Sequence, residues 1–427
     1  MEMKNISIEE LTMRVEKNYA RLCEPYYQIQ EVFSDSSYDW PGDKEGRALL
    51  AFVSHFRISG RKIPCMELMI EALPEKTNLY YFFGNEAGEV IDEQQLSSHN
   101  WYLRGLLEYY EQFHDERVLV YAKSTVEHLY YPTMGRFPTY PVNRLESGGG
   151  VSGNRGYIQD GWCLSTDVGC AFMSIDGLAH YYQIVQDKKV LSLLDEMRDV
   201  FDKIDKMEIQ AQTHCCLTAA RGFLRLYQVT SEQKYFDSAK KVIDLYIEKG
   251  MTYTYQNFNW WNRGDTWTEP CAVVDSLMAI TELFKLTKDE YYRTIATRIW
   301  HNGFSTLQVG NGGAGTTTTV SDTEAVLRTD MYEAYFCCTM RLAEGLRYVW
   351  ENRELLYATC GPIAKDSYGR YMGGDILYAE VFFDEKYSHM IRQNGQIEYD
   401  GLVLQPIVKY YNLPKEVTDT IRQRIIF

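Results

Sequence analysis

The chain has 427 residues, of which 45% are hydrophobic and 24% are charged. These proportions are ordinary for a folded globular protein, so they exclude the collagen-like, disordered and coiled-coil classes. The net charge of −15 repels phosphate backbones and anionic lipids, which disfavours nucleic-acid and membrane partners. No apolar run approaches the ~20 residues of a membrane span, and the N-terminal segment is charged and amphipathic, so we expect a cytoplasmic protein.

Along the chain, six segments follow one design: an amphipathic helix, a polar turn and the start of a second amphipathic helix. Hairpins that recur in this way form either an open solenoid or a closed toroid. The long connections at 132–168 and 250–270 favour closure, because a toroid would gather them around one mouth. We therefore predict a mainly α fold, an (α/α)6 barrel. The six segments are 45–73, 103–129, 175–197, 220–247, 277–304 and 341–358.

Four of these segments carry a small residue where their helices would pack closely, which indicates close helix contacts at those positions. They are Gly105, Gly177, Gly222 and Ala279.

The sequence changes character after about residue 355. Stretches of β-branched and aromatic residues separated by glycines predict short strands there, with a return to helix at 414–425. We therefore divide the chain into a barrel domain, 1–354, and a small C-terminal β-containing extension, 355–427. The Gly-rich stretch at 310–319 is predicted to be a flexible loop or a hairpin.

Two of the ten cysteines form the adjacent pair Cys337-Cys338, and Cys271 follows Glu269 by two positions. Zinc prefers thiolate and imidazole ligands and accepts carboxylate, four in a tetrahedron. Both groups precede apolar-periodic helices, and helix N-termini favour anionic side chains. The residues alone leave two interpretations open: a metal site, or buried thiols beside a glutamate that caps a helix.

Residues 95–355 resemble glycoside hydrolase family 127, the β-L-arabinofuranosidases, and the related family 146. The segment TEPCAVVDSLM resembles the family's E-x-C element, and YFCCTMRL resembles its C-C element. The resemblance implies an (α/α)6 barrel, a Zn²⁺ held by Glu269, Cys271, Cys337 and Cys338, and Cys337 as the nucleophile of a retaining glycosidase. It also implies a carbohydrate substrate, a furanoside oligosaccharide or glycoconjugate.

The general acid/base is the point at which the sequence departs from the family. The position of the family's glutamate falls at Tyr253, and Asp265 is the carboxylate nearest to it in the same stretch. We therefore expect Asp265 to serve as the acid/base. The alternatives are that Asp160, Asp167 or Glu333 supplies it from another loop, or that the family's usual activity is absent.

Other residues are candidates for substrate contact, each weighed against a purely structural role. By resemblance, His214 reaches the sugar, and His99 is a plausible second contact. Trp260 and Trp261 lie in the loop before the E-x-C element and suit a furanose ring, but loop packing explains them equally. The rim segment GYIQDGWCLSTD adds Asp160, Trp162 and Asp167, with turn packing as the alternative.

Two further function classes stay open on the sequence. A metal-free (α/α)6 toroid could hydrolyse or epimerise sugars through carboxylates such as Asp167 and Asp265. A non-catalytic sugar-binding toroid could use zinc as a structural staple, because four protein ligands without an open position are typical of structural zinc. A homodimer is also compatible with the sequence.

Overall fold

The computed structural model describes residues 8–34, 39–86, 88–145, 152–252, 255–264, 266–304, 307–315 and 333–356, and the backbone of short strands between 364 and 411. Within these residues, no helix combines the length and the apolar character that a membrane crossing requires.

The secondary structure is dominated by helices. The helices are α1 Ile8–Leu22, α2 Ile29–Val32, α3 Asp43–Ser59, α4 Met66–Lys76, α5 Glu93–Phe113, α6 Glu116–Thr125, α7 Ser174–Val185, α8 Lys188–Phe201, α9 Thr213–Thr230, α10 Gln233–Leu245, α11 Pro270–Thr287, α12 Glu290–Arg298, α13 Cys338–Glu351 and α14 Arg353–Leu356. The strands are β1 Ile91–Asp92, β2 Arg155–Gln159, β3 Trp162–Ser165, β4 Ala364–Lys365, β5 Tyr371–Met372, β6 Leu377–Glu380, β7 Ile397–Tyr399, β8 Leu402–Leu404 and β9 Val408–Tyr411.

The six predicted hairpins are all present as pairs of helices, from α3–α4 to α13–α14. Three of them share one turn, in which the first helix ends at a residue with positive φ and an aspartate follows. The φ angles are 55° at His114, 57° at Gln186 and 58° at Lys288. The aspartate that follows accepts a backbone N–H of the next helix through its side chain. This aspartate cap starts the second helix directly after the first has ended.

The chain divides into two compact units. One, the 22–243 unit, consists of Leu22–Ile243 and Trp260–Asn262; the other, the 244–427 unit, consists of Met1–Arg21, Asp244–Asn259 and Arg263–Phe427.

In the 22–243 unit, glycines set the contacts between successive helices α3, α5, α7 and α9. A Cβ at Gly105 would lie 2.5 Å from the Gly46 carbonyl oxygen, and one at Gly177 would lie 2.9 Å from the Asn100 carbonyl oxygen. A Cβ at Gly222 would lie 2.7 Å from the Asp176 backbone nitrogen. Only glycine allows backbones to approach this closely, which confirms the predicted role of Gly105, Gly177 and Gly222.

In the 244–427 unit, α11 packs against α12 and α13. The predicted turn at 310–319 is a tight hairpin as far as residue 315, with Gln308 paired to Ala314; residues 316–319 lie outside the described part. The C-terminal strands pair antiparallel as β4–β5, β6–β9 and β7–β8, as the change in composition predicted. The predicted helix at 414–425 lies outside the described residues, and the domain boundary at 354/355 stays a prediction.

Candidate metal centre

Four side chains of the 244–427 unit meet at the starts of two helices. Glu269 precedes α11 in an extended conformation (φ −97°, ψ 118°), and Cys271 lies in the first turn of that helix. Cys337 precedes α13, and Cys338 is its first residue. One ligand atom from each of the four residues lies within 4.8 Å of the other three. The structure therefore brings together the four predicted ligands, although Cys271 and Cys338 belong to their helices rather than preceding them.

The four donor atoms lie close enough together to hold one metal ion in tetrahedral coordination. The Sγ atom of Cys338 lies 3.4 Å from Cys271 Sγ, 3.3 Å from Cys337 Sγ and 3.8 Å from Glu269 Oε1. Ligands about 2.3 Å from a tetrahedral ion are ~3.8 Å apart, so small adjustments would admit the metal. Because the Glu269 carboxylate faces Cys338, the arrangement favours a metal site over a simple helix cap.

The surroundings of Cys337 and Cys338 favour their protonated thiols. Hydrogen bonding with Cys271 raises the pKa of Cys337 well above its ordinary value, and burial raises the pKa of Cys338 in the same direction. A coordinated divalent cation reverses this preference, because a thiol bound to zinc is deprotonated.

The four ligands differ in exposure. The side chains of Cys271 and Cys338 are 0% and 1% exposed, whereas Cys337 and Glu269 are half-buried. As a whole residue, Cys337 is therefore more exposed than Cys271 and Cys338.

Asn257, which no sequence pattern singles out, holds the extended segment that leads into α11. Its side-chain oxygen accepts the backbone N–H of Glu269 at 3.1 Å, and its carbonyl oxygen accepts the Thr268 hydroxyl at 3.1 Å. The side chain is fully buried. No local motif marks this asparagine, because its partners lie eleven and twelve residues away along the chain.

The candidate acids have different environments. Asp265 and Tyr253 lie outside the described residues. Asp160 is exposed at the tip of the β2–β3 hairpin with φ 50°. Asp167 is buried and accepts the Ser152 hydroxyl at 2.7 Å, and burial raises its pKa to about 7. Glu333 is buried with both carboxylate oxygens hydrogen-bonded, which argues against a role as proton donor.

The three candidate tryptophans are fully buried in the 22–243 unit. Trp162 packs edge-on against Phe137 and Tyr140. The indole N–H of Trp260 donates to the Thr166 carbonyl at 3.2 Å, and that of Trp261 donates to Cys216 Sγ at 3.3 Å. This environment favours the packing alternative for all three, and their contact with sugar stays a prediction.

The two candidate histidines are also buried in the 22–243 unit. His99 accepts the Phe83 backbone N–H at Nε2 (3.0 Å) and donates from Nδ1 to the Gln95 carbonyl (2.7 Å), so both ring nitrogens are engaged within the protein. Burial lowers its pKa to about 4. The His214 ring stacks on Trp101, with centroids 5.7 Å apart. His99 therefore has the contacts of a packing residue, and sugar binding by His214 stays a prediction.

The catalytic-domain model of the β-L-arabinofuranosidases of family GH127 matches residues 97–352, more than half of the chain and all four ligands of the cluster. The chain belongs to glycoside hydrolase family 127. The matched residues correspond to the catalytic domain of this family. A comparison with curated protein sequences gave no match.

Solved structures share the fold at low sequence identity. A GH127 β-arabinofuranosidase has a TM-score of 0.52 at 13% identity, covering 80% of this chain and 56% of that chain. The chain thus spans little more than half of that protein. A GH127 β-L-arabinofuranosidase from Geobacillus stearothermophilus T6 has a TM-score of 0.55 at 11% identity, covering 97% and 81%. A cellobiose 2-epimerase from Bacillus thermoamylovorans has a TM-score of 0.52 at 13% identity, covering 81% and 98%. The (α/α)6 fold class is confirmed.

Proposed function

We propose that the protein is a zinc-dependent glycosidase that cleaves β-L-arabinofuranosides, or closely related furanosides, with retention of anomeric configuration. The observation that carries this proposal is the cluster of one glutamate and three cysteines with its half-buried Cys337, set in a family GH127 catalytic domain. The neighbours named as arabinofuranosidases support the substrate class. The cytoplasmic location and the homodimer stay predictions.

When bound, a zinc ion would supply the positive charge that keeps the cluster's thiols deprotonated at neutral pH. In the first half of the reaction, the Cys337 sulfur attacks the anomeric carbon while the glycosidic C–O bond breaks. A carboxylic acid, proposed to be Asp265, donates its proton to the departing oxygen. In the second half, the same carboxylate takes a proton from water, whose oxygen displaces the sulfur and releases the sugar. Two displacements at one carbon retain its configuration.

The test is hydrolysis of an aryl β-L-arabinofuranoside by zinc-loaded wild type and two serine variants. Cys337→Ser removes the proposed nucleophile, and we expect kcat to fall by at least about a thousandfold with the fold retained. Cys23→Ser changes another half-buried cysteine and serves as the matched control with unchanged kcat. Wild-type-like turnover by Cys337→Ser would refute the nucleophilic role.

A metal-free hydrolase or epimerase remains the second candidate, favoured by the raised pKa of Asp167 and by the fold shared with a cellobiose 2-epimerase. Protein that turns over a sugar without bound metal would favour it. Stoichiometric zinc without turnover of any glycoside would instead favour a structural staple.

A further inference from the structure

A buried carboxylate, Glu333, connects α1 to the turn that carries the cysteine pair. Arg21 donates to both Glu333 oxygens at 2.9 Å, a bidentate ion pair. Asn311 donates to the same carboxylate at 2.8 Å, and so does the Thr339 hydroxyl. The Glu333 side chain is 0% exposed and that of Arg21 is 12% exposed. Four hydrogen bonds therefore hold one carboxylate in a site shielded from water.

The turn from Glu333 to Thr339 is tied down at both ends. Thr339 receives the Ala314 backbone N–H at its hydroxyl (3.0 Å), and its carbonyl accepts from the Asn18 side chain (3.2 Å). Within the turn, the backbone N–H groups of Cys337 and Thr339 both donate to the Ala334 carbonyl. The two cysteines are thus enclosed between residues whose positions the carboxylate fixes.

We infer that Glu333 is a positioning residue, which fixes the Cys337-Cys338 turn through Arg21 and Thr339 and so sets the affinity of the cluster for a divalent metal. This inference rests on the proposed function, because it assumes that the cluster binds zinc. Groups that orient metal ligands from outside the coordination sphere commonly change metal affinity by ~10–100-fold.

Two substitutions separate positioning from simple packing. Glu333→Gln replaces one carboxylate oxygen, which accepts hydrogen bonds in the wild type, with an NH2 group that faces the same donors. The substitution therefore breaks the ion pair at nearly constant volume. Thr339→Val removes only the hydroxyl link between Glu333 and Ala314, and Thr339→Ser restores a hydroxyl. The matched control is Glu93→Gln in the 22–243 unit, which breaks a buried pair with Arg144, 3.0 Å in the wild type.

The assay is zinc affinity, measured on folded, reduced apoprotein by competition with a chromophoric chelator, beside thermal melting of the same apoproteins. We expect the zinc dissociation constant to rise ~10–100-fold for Glu333→Gln and ~10-fold for Thr339→Val, with recovery in Thr339→Ser. Glu93→Gln should lower the melting temperature and leave zinc affinity unchanged.

Different results would refute the positioning role of Glu333 and the proposed function. Zinc affinities of Glu333→Gln and Thr339→Val equal to that of a zinc-binding wild type would overturn the positioning role alone. A wild type that binds no zinc would overturn the proposed function, and this inference with it. If Glu333→Gln does not fold, the zinc affinities of Thr339→Val and Thr339→Ser decide whether the positioning role holds.

Discussion

Asp167 offers a quantitative test of the electrostatics, through its replacement by asparagine. Burial raises its folded-state pKa to about 7 from an ordinary value of 3.8. Between these two pH values the folded chain binds more protons than the unfolded chain, so the contribution of Asp167 to stability falls as pH rises. The shift of about three units corresponds to ~4 kcal/mol, lost in full above pH ~7.

Asparagine cannot titrate, so Asp167→Asn removes this dependence. Because part of the loss precedes pH 5, we expect the stability of the variant relative to wild type to rise by ~3 kcal/mol between pH 5 and pH 8. Urea denaturation at both pH values measures it, and any loss of the Ser152 hydrogen bond adds only a constant offset. Ser152→Ala should extend the dependence to higher pH, since that bond favours the carboxylate. Parallel curves for wild type and Asp167→Asn would refute the reasoning. A carboxyl group that keeps its proton up to near neutral pH, as the raised pKa of Asp167 implies, meets one requirement of a general acid.

Two further predictions concern packing and acid stability. Gly345→Ala should lower the free energy of unfolding, measured with denaturant, by about 1–3 kcal/mol, because its Cβ would lie 2.3 Å from Phe304 Cε2. Gly88→Ala is the control and should be nearly neutral, because a Cβ at Gly88 would meet open space. The pKa of His99 is lowered to about 4 from 6.5, so the folded state binds fewer protons in that interval and stability falls as pH drops through it. His99→Gln should therefore reduce the loss of stability between pH 6.5 and 4 by about 3 kcal/mol, and an unchanged acid-unfolding profile would contradict this assignment.

The sequence predicted best those structural features that depend on interactions between residues close together in the chain. The turn pairs His114-Asp115 and Gln186-Asp187 combine a helix end with an aspartate cap, so the hairpins can be recognised from neighbouring residues alone. Gly177 and Gly222 mark close helix contacts because a Cβ there would collide with the adjoining helix.

Side-chain environments and long-range contacts were harder to predict. The adjacent tryptophans Trp260 and Trp261 are compatible with either a sugar-binding wall or a packed loop. Only the three-dimensional structure shows that both are buried. Asn257 and Glu333 act through hydrogen bonds to partners far along the chain, the longest spanning 312 residues between Arg21 and Glu333. Periodicity and spacing carry no signal for such pairs. The ligand cluster could be proposed because the resemblance to the family implied that the two segments meet in space. Their spacing along the chain alone left this open.

The metal content and coordination of the purified protein test the proposed zinc site most directly. Elemental analysis should find one zinc per chain, and X-ray absorption at the zinc edge should show three sulfur ligands at ~2.3 Å and one oxygen at ~2.0–2.2 Å. Cys271→Ser should reduce the sulfur count to two or abolish binding. Reduced protein that binds no zinc when zinc is supplied, or zinc bound without sulfur ligands, would contradict the proposed zinc site.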